Sequence, residues 1–236
     1  MNFDLSKLQI IYEDNHLIAI NKPAGTLVQG DETGDQPLSD FVKQYIRLRY
    51  NKPGDAYLGV CHRLDRPVSG ALIFARTSKA LERMNELFAT QKIEKTYWAI
   101  THKRPDPFFG HLEHWLLKDP AKNITKAYDA QSNRNTGAKL AILDYEMLGD
   151  MEGMYLIQVN PKTGRPHQIR VQLAKMGCPI SGDVKYGAAE PLKDASIHLH
   201  CHSMKFMHPI KKEMIEITAD PPINKATLWK RFEGIY

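Results

Sequence analysis

Apart from one helical stretch at 165–177, the chain between residues 94 and 222 reads largely as apolar runs too short to be helices. The runs "AKLAILDYEML" (138–148) and "MYLIQVNPKTG" (154–164) are separated by little more than Gly149, Asp150 and Gly153. Two parallel neighbours need a crossover of about a dozen residues. These two strands must therefore form an antiparallel hairpin. "DASIHLHCHSMKFMHP" (194–209) and "EMIEITADPP" (213–222) repeat the pattern across a Pro-containing turn. "EKTYWAITH" (94–102) is a further strand, and earlier in the chain so are "HLIAINKPAG" (16–25) and "GALIFART" (70–77).

Helices are few. In "PLSDFVKQYIRLRY", Leu38, Phe41, Val42, Tyr45 and Ile46 recur at the spacing of one helical face. A second helix starts at Ser78, with Leu81, Met84, Leu87 and Phe88 facing inward. A third is expected over "RPHQIRVQLAKMG", closed by Gly177. Residues 103–137 read as an irregular excursion with room for a hairpin, and the tail "ATLWKRFEGIY" as a short helix. There is no repeat, no low-complexity segment and no βαβ alternation. The expected fold class is α+β, a mixed, largely antiparallel sheet flanked by helices, in a single domain over 1–236 with its core at about 11–222.

The formal net charge of +5 suits a polyanionic partner without requiring one. The three cysteines, Cys61, Cys178 and Cys201, lie far apart and form no CxxC pair, which argues for thiols in a reducing compartment. The first residues lack the basic and apolar regions of a signal peptide, and no run is long enough to span a membrane. A cytoplasmic protein is expected.

The densest chemistry is "GVCHRLDRPVSG" (59–70), where Asp65 stands among His62, Arg63 and Arg66 at a turn anchored to a buried strand. Neighbouring guanidinium groups hold a carboxylate ionised, as a nucleophile or base requires. A structural Arg–Asp pair at a strand start uses the same residues. In "NPKTGRPHQIRVQLAKMG", Arg165 sits where the helix is expected to begin, a placement that suits a phosphate contact. Ile169, Leu173 and Met176 form an apolar face, and His167, Arg170 and Ala174 lie on the adjacent stripe. A solvated basic helix accounts for the same spacing. Tyr97 and Trp98 point to opposite faces of a strand, one to the core and one available to stack on a base. His198, His200 and His202 share a strand face, but no zinc-type spacing accompanies them, and no metal is expected. No GxSxG elbow, P-loop or dinucleotide motif is present.

Taken together, "HRLDRPVSG" with "LIFART", "EKTYWAI", and "GRPHQIRVQLAKMGCPISGDVKYG" resemble, in order, the motifs of the RluA-type pseudouridine synthases, and "IYEDNHLIAINKPAG" resembles their opening strand and turn. The resemblance runs from about Ile11 to Pro222. It implies the pseudouridine synthase α+β fold with an RNA cleft. It also implies Asp65 as catalytic carboxylate, Tyr97 as active-site tyrosine, Arg170 as the basic partner of the acid, and Arg63 as a residue handling the flipped nucleotide. His62, Arg165, His167, Ile169 and Lys185 are the further candidate substrate contacts. No cofactor is implied. The partner would be rRNA or tRNA, the protein a monomer by default, and the form one without the S4 RNA-binding domain that many relatives carry. Val68 stands where the family usually has Thr. A non-catalytic RNA-binding or ribosome-assembly protein on the same fold is the alternative. A glycosidase normally needs a second acid, and only Asp65 lies in a matching motif.

Overall fold

A computed structural model describes residues 5–31, 34–51, 53–223 and 227–235. The chain divides into two compact units, one of Met1–Ile93 with Cys201–Asp220, the other of Glu94–His200 with Pro221–Tyr236.

In the first unit, β1 (Ile10–Glu13), β2 (Leu17–Lys22) and β4 (Ser69–Ala75) lie side by side, and the two-residue β3 (Gly59–Val60) pairs with β4. The pairs β1–β2, β2–β4 and β3–β4 are antiparallel. Every residue of β4 is buried, which explains why "SGALIFA" reads as a continuous apolar run rather than an alternation. Helix α1 (Leu38–Arg49) buries Leu38, Phe41, Val42 and Ile46, the face its spacing predicts. Helix α2 (Ser78–Ala89) begins where expected, capped by the Thr77 side chain, which accepts the Ala80 N–H at 3.2 Å. Its inward face is narrower than its periodicity suggests. Ala80 and Met84 are buried, whereas Leu81, Leu87 and Phe88 remain half-exposed.

The strands of the second unit lie in the order β5 (Glu94–Thr101), β9 (Met154–Pro161), β8 (Lys139–Met151), β6 (Phe109–Asp119), β7 (Ile124–Tyr128). The pairs β5–β9, β9–β8, β8–β6 and β6–β7 are antiparallel. Residues 103–137 are thus more regular than expected, since β6 and β7 form a hairpin that continues the sheet through β8. Their polar, broken composition reflects half-exposure. β6 alternates buried His114 and Leu116 with exposed Glu113. One sheet face carries Trp98, Ile100, Met154 and Leu156, covered by Trp229 and Phe232 of the C-terminal 3-10 turn. On the other, Val171 of α3 (Gln168–Lys175) packs on Leu116 and Ala141.

Strand β10 (Leu199–Met207) starts in the second unit and continues into the first, where it pairs antiparallel with β11 (Met214–Thr218). His198 lies just before the strand rather than on it. His198 and His200 each meet the Trp229 ring edge-on, at 5.7 and 5.9 Å. Burial pushes the His198 pKa down to about 4, so its imidazole is a neutral packing group.

Gly70, the second residue of β4, has φ +115, and a Cβ there would lie 2.3 Å from the Cys201 carbonyl oxygen and 2.5 Å from its nitrogen. Both contacts are to backbone, which cannot step aside cheaply. Gly70→Ala should lower the unfolding free energy by roughly 2–4 kcal/mol, measured by urea titration. A loss below about 0.5 kcal/mol would show that the strands separate without cost.

Candidate active site

The first unit carries the turn between β3 and β4. The Val68 N–H donates to the Asp65 carbonyl at 3.0 Å, closing a tight turn over Arg66 and Pro67. The side chain of Asp65 is half-buried. Beneath it lies Lys22, the last residue of β2, whose side chain is completely buried. Its ammonium donates to three carbonyl oxygens, those of Pro23 at 3.1 Å, Arg66 at 3.2 Å and Val68 at 2.7 Å. Three N–H donors meet three acceptors, the full complement of a lysine. Burial pushes its pKa down to about 7, the Asp65 charge opposes the fall, and the Arg66 charge adds to it. In the sequence Lys22 lies inside the strand segment "HLIAINKPAG" and is not among the candidate site residues. A lysine at the end of an otherwise apolar strand is the signal that could have marked it.

The bases around Asp65 do not act alike. Arg66, expected beside the acid to hold it ionised, is turned away. Its Nε donates to the Gly25 carbonyl at 3.0 Å and its Nη2 meets Asp35 at 2.6 Å. A second carboxylate within reach has captured it. His62 accepts the Ile73 N–H on Nε2 at 3.0 Å and packs on Phe88 at 4.9 Å. That bond leaves Nε2 without a proton. Arg63 is exposed and makes no hydrogen bond or ion pair with any described residue. Val68 is 3% exposed, so it serves the loop through its backbone. Cys61, next to the motif, has its thiol pushed up to about 12 by burial, which removes it as a nucleophile.

The second unit carries the other candidates. Register places Tyr97 opposite Val159 and Val159 opposite Tyr145. Tyr97 therefore shares a sheet face with Leu143 and Ala141, the face α3 covers. Trp98 takes the core side and Tyr97 is half-buried, as alternation requires. The helix starts later than expected. Gln168 is its first residue, and His167 precedes it in the left-handed region at φ 54. Pro166 and this left-handed residue keep 165–167 off the helix, so Arg165 and His167 are not on a helical stripe. The buried Gln168 side chain organises the turn instead, accepting from Thr163 Oγ1 at 2.8 Å and from the Arg165 N–H at 2.9 Å.

Arg170 is 5% exposed, which rules out a solvated basic helix at this position. Its Nε and Nη2 engage both oxygens of Asp183, at 2.7 and 2.8 Å, and Asp183 is itself 2% exposed. The Tyr186 ring lies 5.1 Å from the guanidinium carbon. The Tyr186 hydroxyl accepts the Thr125 N–H at 2.9 Å and meets His167 Nδ1 at 2.6 Å. Burial raises its pKa. Asp183 and Tyr186 were visible only as part of "GDVKYG". Ile169 is buried. Arg165 Nε donates to the Leu140 carbonyl at 2.9 Å, and Lys185 Nζ to the Asn123 carbonyl at 3.2 Å. The structure thus gathers Arg165, His167, Arg170 and Lys185 around the start of α3, and places Lys22, His62, Arg63 and Asp65 at the β3–β4 turn. Among the described residues, no group of three or more His, Cys, Asp or Glu side chains is placed to hold a metal, and no helix is long and apolar enough to cross a membrane.

Residues 16–175 match the family of RNA pseudouridylate synthases. The chain belongs to that family, in its RluA-type branch. It is therefore an RNA pseudouridine synthase, an isomerase. It is 34% identical to a tRNA pseudouridine synthase C of Haemophilus influenzae, over 90% of this chain and 92% of that one. It is 32% identical to a ribosomal large subunit pseudouridine synthase C of Rickettsia felis, over 90% of this chain and 67% of that one. Among solved structures, human RNA pseudouridylate synthase domain containing 4 superposes with a TM-score of 0.75 at 26% identity, covering 91% of this chain and 88% of that one. The α+β, largely antiparallel fold expected from the strand pattern is the pseudouridine synthase fold.

Two consequences of this synthase's buried charges can be measured. In the folded chain Lys22 loses its proton near pH 7, against 10.5 for the unconstrained group. Between these values the unfolded state binds more protons, so the Lys22 contribution to stability rises with pH across that window and is flat below it. The difference in unfolding free energy between wild type and Lys22→Met should follow that rise, and a pH-independent difference would contradict it. Asp183→Asn should lower stability by about 3 kcal/mol in urea unfolding at pH 7, because it weakens the hold on a buried guanidinium.

Proposed function

We propose that this synthase converts uridine to pseudouridine at specific positions of tRNA or rRNA, with 1–236 acting as one catalytic domain in the cytoplasm and Asp65 as the catalytic carboxylate. The observation that carries the assignment is the turn itself. Asp65 is half-buried on a backbone clamped from below by Lys22, within a family-matched segment. The tRNA and rRNA alternatives come from the activities for which the Haemophilus and Rickettsia relatives are named.

In the reaction the C1′–N1 bond breaks, the uracil turns, and a C1′–C5 bond forms. C5 loses its proton and N1 gains one, so no oxidant, reductant or cofactor is needed. Asp65 acts by attacking C1′, by taking the C2′ proton to leave a glycal and returning it when C5 adds to C1′, or by attacking C6 of the uracil, and every route requires it ionised. Tyr97 packs on the uracil and assists removal of the C5 proton. Arg170 supplies the charge-assisted contact that keeps the acid charged. The Asp183 clamp on two of its nitrogens supports this role by fixing the plane of the guanidinium. Arg63 helps extrude the nucleotide, at a cost of a few kcal/mol. His62, Arg165, His167, Ile169 and Lys185 line or steady the RNA path, with Arg165 and Lys185 as phosphate contacts.

The test uses tRNA and rRNA labelled with tritium at uridine C5, prepared from a strain lacking this gene. Wild type should release label, and Asp65→Asn and Asp65→Ala should release none above background. Mapping pseudouridines in the deletion strain and its complemented parent then gives the position. Release that survives both substitutions would remove Asp65 from the mechanism. RNA binding with no release by wild type would point to a non-catalytic RNA-binding role.

A further inference from the structure

The first unit holds a cavity of about 490 Å³ lined by Gln29, Tyr57–Arg63 and Leu81. Asp65 is not among its lining residues, so the cavity is not where the target uridine meets the acid. It adjoins that place nonetheless. Arg63 belongs to both the cavity wall and the catalytic motif, and two residues of chain put at most about 7 Å between its Cα and that of Asp65.

The lining is arranged by chemistry. Its apolar lining residues are the half-buried Leu58, Val60 and Leu81. Gly59 lets β3 lie close to α2, since a Cβ there would lie 2.8 Å from the Leu81 side chain. The lining also includes three exposed groups of different kinds, the Tyr57 ring, the Gln29 amide and the Arg63 guanidinium. None of the three makes a hydrogen bond or ion pair with a described residue. This contrasts with Arg66, a few residues on, which is committed to Asp35 and Gly25. The fourth polar wall, His62, is fixed by its bond to the Ile73 N–H and its packing on Phe88. An aromatic face, a two-way amide and a bidentate cation, lining one space large enough for a nucleotide, match the three parts of a nucleotide. They are a π-face to stack on, a base edge to read, and a phosphate to pair.

Resting on the reading of this chain as a uridine isomerase, we propose that this cavity is a second nucleotide subsite, which takes a base flanking the target uridine in the same RNA strand. Tyr57 stacks on that base, Gln29 reads its edge, and Arg63 pairs with the phosphate between it and the target. The cavity then contributes to choosing which uridine is modified, because only an RNA able to unstack the flanking base fills it.

The test uses the stem-loop around the uridine mapped above, labelled with tritium at C5, and copies that each carry an abasic site at one flanking position. On the intact stem-loop, Tyr57→Ala should lower kcat/KM about tenfold, the effect of losing one base stack, while Tyr57→Phe should retain the wild-type value. On one abasic copy, wild type should fall to the level of Tyr57→Ala and the two should become equal. Gln29→Ala should alter base preference at that same position. Wild-type kcat/KM for Tyr57→Ala on the intact RNA would overturn the proposal. So would a deficit that persists on every abasic copy, which would mean that Tyr57 acts through the fold. A wild-type chain that releases no label from any cellular RNA would instead overturn the isomerase reading, and the subsite with it.

Discussion

A single ammonium group, fully withdrawn from water, holds the turn that carries Asp65. Stripping a lysine of its hydration costs several kcal/mol. The arrangement persists because Lys22 meets three carbonyls from both sides of the turn, Pro23 before it and Arg66 and Val68 within it. An apolar residue of the same size would leave those carbonyls without their donor. The contact also links backbone shape to charge. The negative charge of Asp65 is what opposes the loss of the Lys22 proton.

The second unit solves the same problem with different groups. Its buried cation is Arg170, neutralised by a bidentate carboxylate and flanked by an aromatic ring. Tyr186 extends that arrangement outward, since its hydroxyl also takes the Thr125 N–H and reaches His167. Thr125 lies on β7, and its own hydroxyl donates to the Pro166 carbonyl at 3.0 Å. The β6–β7 hairpin is thus a strut for the start of α3. Its polar sequence is that of a segment whose job is to present hydrogen-bonding groups along one edge.

The elements that could be read from sequence are those whose local pattern and tertiary role coincide. The apolar face of α1 and the buried run of β4 are cases where burial alone dictates the spelling. The hairpin at 109–128 was obscured because half-exposed strands carry charges on alternate positions, which dilutes the apolar signal. The start of α3 was misplaced because a left-handed His167 has no local signature that separates it from a first helical turn. Asp65, Arg63, Tyr97 and Arg170 stood out through motifs. Lys22, Asp183 and Tyr186 did not, because each matters through a partner far away in sequence, and no one-dimensional pattern records that Lys22 will sit under residue 68.

The same distinction bears on how basic residues mark an RNA surface. Net positive charge identifies candidates without saying which of them can move. Arg165 and Lys185 are each tethered to a backbone carbonyl, so their charges are fixed in place before any ligand arrives. Such groups lose little freedom on binding and suit a contact that only sets register. Arg63 is untethered and exposed, and it must lose rotamer freedom to engage anything. A group of that kind contributes most where its partner is offered only by the correct RNA geometry, because the ordering cost is then met by a contact that a wrong RNA does not provide. Under the proposed function, discrimination among uridines falls to the untethered groups beside the β3–β4 turn, and general affinity to the tethered cations around α3.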